Sequence, residues 1–179
     1  CLKPFLLKSE FSADHVPPLQ IFPEDVRKKF NLSKLTTLPA HYSCQKIYQK
    51  DEDYFVTTFS AFAAGTDIGA LLWKTVSRNL RRPNQTKLRE MILGEFSEKS
   101  PGGIYAPEGK IFKKYDTKRV HNFIWKLTRG LFVKEFKRCL PEDGMQRIVV
   151  IPPGEKPPDK EFNHVRDTDP KGTYGKVFD

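Results

Sequence analysis

The chain has 179 residues, 38% of them hydrophobic and 30% charged, with a formal net charge of +9 and only three widely spaced cysteines. These values exclude a disordered chain and a disulfide-stabilised mini-protein, and they predict a soluble, cytoplasmic globular protein with its own hydrophobic core. Because no apolar run is long enough to span a bilayer, the excess of lysine and arginine favours nucleic acid over a membrane as the partner.

Hydrophobic periodicity and turn residues predict an α+β protein with short strands near both ends and a mainly helical middle. In chain order the predicted elements are strands 5–7 and 35–38, helices 51–65, 66–82 and 85–99, strand 110–115, helix 116–140, and strands 146–151, 162–166 and 174–178. We expect residues 1–65 to form a small core and residues 66–145 a helical region packed on it. Residues 146–179 would add a proline-rich connector and short strands to the same domain.

Capping residues mark where the predicted helices begin. The acidic residues 51–53 suit the positive N-terminal end of a helix. Thr66 or Asp67 is placed to cap the second helix, and Asp116 or Thr117 to cap the long fourth one. Prolines follow these two helices, as expected where a helix ends.

Two sets of side chains recur at helical spacing. Phe55, Phe59 and Phe62 are predicted to lie in the core. The long helix carries a set of basic residues away from its apolar side: Lys126, Arg129, Lys134 and Lys137. Such a set is ordinarily a solvated helix face, but on a chain of net charge +9 it is also the best candidate for contacts to nucleic-acid phosphates.

The stretch "SADHVPPLQIFPEDV" (residues 12–26) contains the first candidate for chemistry. Asp14 and His15 follow the first predicted strand and come one residue, Val16, before two prolines, which stop regular strand pairing and leave the pair displayed. A carboxylate beside an imidazole can bind a metal ion and exchange a proton. The simpler interpretation is a polar turn.

A second candidate is a zinc site. His41 and Cys44 are separated by two residues, a spacing that lets both side chains reach one metal ion from a tight turn. With Cys1 they would give zinc three ligands, and Pro4 stands where a fourth, cysteine, ligand would be expected. The alternative for Cys44 is an ordinary buried thiol.

These features occur in a recognisable order: a strand, Asp-His, "PP", a charged loop, "LTTLPA", the His41–Cys44 turn and "KDEDYF". In this order they resemble the HNH nuclease superfamily, especially its bacterial and phage members. The resemblance covers roughly residues 1–60 and extends more loosely to "WKLTRGLFVKEFKRCLP". It implies an α+β fold in which a small ββα-metal core near the N-terminus is wrapped by several helices.

The resemblance also implies roles for individual residues. His15 would be the general base that activates a water molecule, and Asp14 would bind a catalytic Mg²⁺ or Mn²⁺ ion. Gln45 stands where the family usually has a histidine or asparagine as a second metal ligand. Cys1, His41 and Cys44 would belong to a degenerate structural zinc site, and a role in bacterial or phage defence would follow.

The leading hypothesis is therefore a metal-dependent endonuclease that hydrolyses nucleic-acid phosphodiesters, with DNA favoured over RNA. Pro4 cannot bind zinc, and Gln45 is a neutral and longer ligand than those it would replace. The alternative is a catalytically inactive module on the same fold that binds nucleic acid or a protein partner. A third class is a structural or assembly component of a mobile element.

Overall fold

A computed structural model describes residues 11–32, 35–100 and 102–140, which lie in one compact unit. The predicted α+β class is confirmed. The described strands and α-helices are β1 (Phe11–His15), α1 (Glu24–Lys29), β2 (Thr37–His41), α2 (Tyr42–Ser60), α3 (Asp67–Leu80), α4 (Thr86–Leu93), β3 (Phe96–Ser97), β4 (Phe112–Lys113) and α5 (Thr117–Phe136).

The strands β1 and β2 form a two-stranded antiparallel sheet. Phe11 pairs with His41 at one end of the sheet, and His15 pairs with Thr37 at the other. Pro17 has no N–H to donate, so regular pairing cannot continue far beyond the end of β1. Since α2 begins at the residue after β2, the two strands and this helix form a β–β–α unit, with α1 between the two strands in the chain.

The core lies where α2, α4 and α5 meet. Each helix contributes one buried residue to a common cluster: Tyr54, Ile92 and Val120. The ring of Phe55 on α2 stacks on that of Phe123 on α5, with 3.9 Å between their centroids. Burial of these side chains provides the main attraction between the two longest helices.

The aromatic prediction for α2 is correct for two residues and wrong for the third. Phe55 and Phe59 are partly buried and pack against the core cluster. Phe62, by contrast, is 66% exposed. The physical reason is that α2 ends at Ser60, so Phe62 lies in the following turn and leaves the helical face that the spacing assumed.

The start of α2 also differs from the prediction. The helix begins at Tyr42 rather than near residue 51, so the acidic residues 51–53 lie in its middle. Asp51 and Glu52 are buried there and do not face a helix N-terminus. The segment 42–50 is largely polar and has no apolar pattern at helical spacing. For this reason the helix was predicted from the sequence to begin later than it does.

The caps of the next long helices agree with the prediction. The Oγ1 atom of Thr66 accepts a hydrogen bond from the Gly69 N–H at 3.0 Å at the start of α3. Asp116 Oδ1 accepts one from the Arg119 N–H at 3.2 Å at the start of α5. Two elements are shorter than predicted, since α4 ends at Leu93 and β4 contains only two residues.

Four predicted strands, 5–7, 146–151, 162–166 and 174–178, lie outside the described residues. Within the described ranges, no helix is long and apolar enough to cross a bilayer.

Candidate functional site

Asp14 and His15 occupy the last two positions of β1, where successive side chains point to opposite faces of the strand. Asp14 is only 8% exposed, whereas His15 is partly buried. Asp14 contacts α5 across the interior, as described next. The adjacent pair in the sequence is therefore divided in the fold, with the carboxylate inside and the imidazole on the other side of the sheet.

The Asp14 carboxylate belongs to a buried ionic triad with Lys126 and Glu52. The Nζ atom of Lys126, on α5, lies 2.7 Å from Asp14 Oδ2. The same ammonium also donates a short hydrogen bond to Oε1 of Glu52, on α2. The three side chains are between 9% and 11% exposed. One cation thus joins β1, α2 and α5.

The triad changes the acidity of its members. Burial, the largest effect, raises the pKa of Glu52, and the hydrogen bond from Lys126 opposes that rise without cancelling it. Burial alone would lower the pKa of Lys126, but its hydrogen bonds to Asp14 and Glu52 outweigh that effect and raise it. The lysine is therefore held in its charged form, because two carboxylates surround it in a poorly solvated place.

A second polar contact links α2 and α5 beside the triad. Asn122 donates a hydrogen bond from Nδ2 to Asp51 Oδ2 at 2.9 Å. The guanidinium of Arg119 lies 3.8 Å from the other carboxylate oxygen of Asp51. The acidic residues of α2 thus form a seam with polar and basic residues of α5.

A cavity of about 320 Å³ opens beside the triad. Six of the residues predicted from the sequence line it: Asp14, His41, Cys44, Gln45, Lys126 and Arg129. Cys139 also lines this cavity and is exposed. The fold thus brings together the end of β1, the junction between β2 and α2, and the middle of α5.

The described residues do not fit a divalent metal ion at this site. The Lys126 ammonium is bound to Asp14, so a second cation there would be repelled. Gln45 is also engaged, because its Oε1 atom accepts a hydrogen bond from Ser12 Oγ at 2.6 Å. No group of three or more His, Cys, Asp and Glu side chains within the described ranges is arranged to hold a metal ion.

The predicted zinc ligands are placed differently from the tight turn that their spacing suggested. His41 is the last residue of β2, and Cys44 lies in the first turn of α2. The turn was expected because the sequence gives no sign that a helix begins at Tyr42. Cys1 lies outside the described residues.

The basic set predicted on the long helix divides into buried and exposed members. Lys126 is the ammonium of the triad, so its predicted place on a solvated face is wrong, and two carboxylates explain its burial. Arg129 is partly buried, with its guanidinium 5.7 Å from the Trp125 ring centroid. Lys134 and Lys137 are exposed. Lys137 follows the helix in a left-handed conformation, with φ of 56°.

Glu52 is the member of the site that the sequence did not single out. It was treated as part of an acidic helix start, and its partner Lys126 lies 74 residues away in the chain. No local pattern connects residues so far apart. The only available signal was an acidic residue next to the apolar positions of "DEDYFVTTF". A carboxylate buried there would need a cationic partner, and this need could have prompted a search for one.

Comparisons of the chain with protein-family models, curated proteins and solved structures find no match.

Proposed function

We propose that this protein binds nucleic acid and that its β–β–α unit resembles a nuclease core but uses a lysine where a metal-dependent enzyme would hold its ion. The observation that carries the proposal is the contact of 2.7 Å between Lys126 Nζ and Asp14 Oδ2. An ammonium at this point neutralises the carboxylate that the HNH resemblance makes the main metal ligand. The Lys126 ammonium balances the charge of this carboxylate, but it cannot act as the Lewis acid that a metal ion would provide.

The choice of nucleic acid as the partner rests on charge. The chain carries 31 lysines and arginines against 22 aspartates and glutamates. Cations that contact phosphates release condensed counterions, and this release provides most of the affinity of sequence-independent binding. The exposed Lys134 and Lys137 remain candidates for such contacts, together with Arg129 at the rim of the cavity. DNA is the first partner to test.

A second candidate function is metal-dependent hydrolysis of DNA at His15, as the HNH resemblance implies. It is favoured by the order β1–β2–α2 and by the partly exposed position of His15 at the end of β1. Imidazole is the side chain that most often serves as a general base in catalysis. For this function the side chain of Lys126 would have to leave Asp14.

One experiment separates the two candidates. Binding of a labelled DNA duplex is measured by fluorescence anisotropy over a range of salt concentrations. Nicking of supercoiled plasmid is followed with Mg²⁺, with Mn²⁺ and with a chelator. His15→Ala is compared with the wild type and with His121→Ala, a matched control because His121 is exposed on α5.

For the proposed function we expect salt-dependent binding, no nicking with either ion, and equal affinity for all three proteins. Nicking that requires a divalent ion and is lost only in His15→Ala would establish the second candidate instead. If the wild type neither binds nor nicks DNA, both candidates are wrong.

A further inference from the structure

The outward face of α3 carries a row of basic residues that the site does not use. One series of exposed positions on this helix recurs every three or four residues, whereas Gly69 and Val76 on the other side are buried. After Asp67 and Ala70, the exposed row continues with Lys74, Arg78 and Arg81. At 1.5 Å per residue, the row from Lys74 to Arg81 extends for about 10 Å along the surface.

Two further exposed cations follow in the chain beyond the helix. Arg82 and Lys87 are exposed in the turn that follows and in α4. The sequence contains no acidic residue between Asp67 and Glu90. We call these five residues the α3 basic face: Lys74, Arg78, Arg81, Arg82 and Lys87.

Within the described ranges the α3 basic face lacks carboxylate partners, as do Lys134 and Lys137, whereas five other cations are paired. Lys28, Lys29, Lys113, Arg119 and Lys126 all form ion pairs. Among the described residues, no carboxylate oxygen lies within 4.0 Å of a cationic nitrogen of the α3 basic face.

This arrangement is unfavourable for the isolated helix. Lys74 and Arg78 are four residues apart on α3, and like charges at this spacing repel. The helix dipole favours cations only in the last turn, so it does not offset the charge of Lys74 or Lys87. A bound polyanion would convert this repulsion into attraction.

We propose that the α3 basic face is a sequence-independent contact surface for the phosphate backbone of DNA. The inference rests on the proposed function and adds where the DNA is held, namely on α3 and the turn after it and not mainly on α5. Arginine and lysine side chains that are unpaired, exposed and aligned can each replace a counterion at a phosphate.

The test compares two variants that lose the same charge. One carries Lys74→Gln, Arg78→Gln and Arg81→Gln, and the other carries equivalent glutamines at Arg129, Lys134 and Lys137. Glutamine preserves helix propensity, and circular dichroism checks that each variant is folded. The affinity of each protein for the labelled duplex is measured across a salt series, together with its binding to vesicles rich in phosphatidylserine.

If three phosphate contacts are lost, the slope of log K against log salt should become shallower by about 2.7 for the α3 variant. The ratio of the wild-type binding constant for DNA to that of this variant should then fall about 40-fold between about 50 mM and about 200 mM salt. We expect a smaller change of slope for the α5 variant.

The outcomes are distinguishable. A change of slope in the α3 variant that is no larger than in the α5 variant would overturn the inference and leave DNA binding itself intact. A wild type that does not bind DNA would overturn the proposed function and the inference together. Binding to vesicles but not to DNA would do the same. It would assign the exposed Ile68 and Trp73 of α3 to a membrane surface.

Discussion

Replacement of Lys126 by methionine tests the ionic triad directly. Methionine fills a similar volume but removes the only cation that contacts Asp14 and Glu52 among the described residues. Removal of one partner from a buried ion pair costs about 3–5 kcal/mol, because an uncompensated charge remains in the interior. Since about a tenth of each side chain is still exposed, we expect the lower end, about 3 kcal/mol.

The loss should be visible both in urea unfolding and in thermal melts. For a chain of this size, about 3 kcal/mol corresponds to a melting temperature lowered by about 6–12 °C. Lys118→Met is the matched control, because Lys118 is exposed in the first turn of α5. We expect this control to stay within about 0.5 kcal/mol of the wild type.

The pH dependence of the Lys126→Met defect tests its cause. Lys126 lowers the pKa of Glu52 against the larger, raising effect of burial, so its removal should raise that pKa further. A carboxyl group whose pKa is raised in the folded state stabilises the fold fully when the pH is below its ordinary pKa, here 4.5. This stabilisation is lost as the pH rises through the pKa of the folded state. The defect should therefore be largest near neutral pH and shrink as the pH falls towards 4.5.

A second substitution should restore part of the loss. In the Lys126→Met, Glu52→Gln double variant one of the two unpaired carboxylates is gone, so the defect should be smaller than in Lys126→Met alone. A loss below about 1 kcal/mol, the ordinary cost of an average substitution, would refute the buried triad. A loss that does not change with pH would refute the role of carboxylate ionisation.

Two further substitutions test the packing around the site. Gly130→Ala should destabilise the protein by about 1–3 kcal/mol in thermal melts, because its new Cβ would lie 2.7 Å from Val16 Cγ2. Gly65→Ala is the control and should be neutral, since its new Cβ would meet nothing within 4 Å. Tyr54→Phe should cost about 1–3 kcal/mol in urea unfolding, since Tyr54 donates a hydrogen bond to Glu95. Burial, with help from Glu95, raises the pKa of Tyr54 to about 12. The stability that Tyr54 contributes to the fold should therefore be lost as the pH rises from 10 to 12. A phenolate absorbance titration in which Tyr54→Phe removes no late step would contradict this.

Local signals predicted much of the helical architecture. The caps at Thr66 and Asp116 depend on a hydrogen bond to a backbone N–H three residues later, so the sequence nearby contains all the information they need. Proline at position 83 likewise explains why α3 ends before it. Elements with such signals were placed correctly to within a few residues.

The parts that were predicted poorly have few local signals. Residues 42–50 become helical although they are polar, and the correct beginning of α2 changes the environment of every acidic residue after it. Phe62 fits the aromatic spacing but lies beyond the end of the helix. Periodicity does not indicate where a helix begins or ends when caps are missing.

The sequence by itself determined the α+β class and the basic character of the chain, and it singled out six side chains that the fold then brings to one cavity. It did so because composition, caps and motif order are properties of neighbouring residues. Only the tertiary structure decided that Lys126 lies between Asp14 and Glu52 and that Asp14 and His15 face opposite sides of β1. Those facts depend on the packing of α5 against β1 and α2, which joins residues far apart in the chain and removes their charges from water.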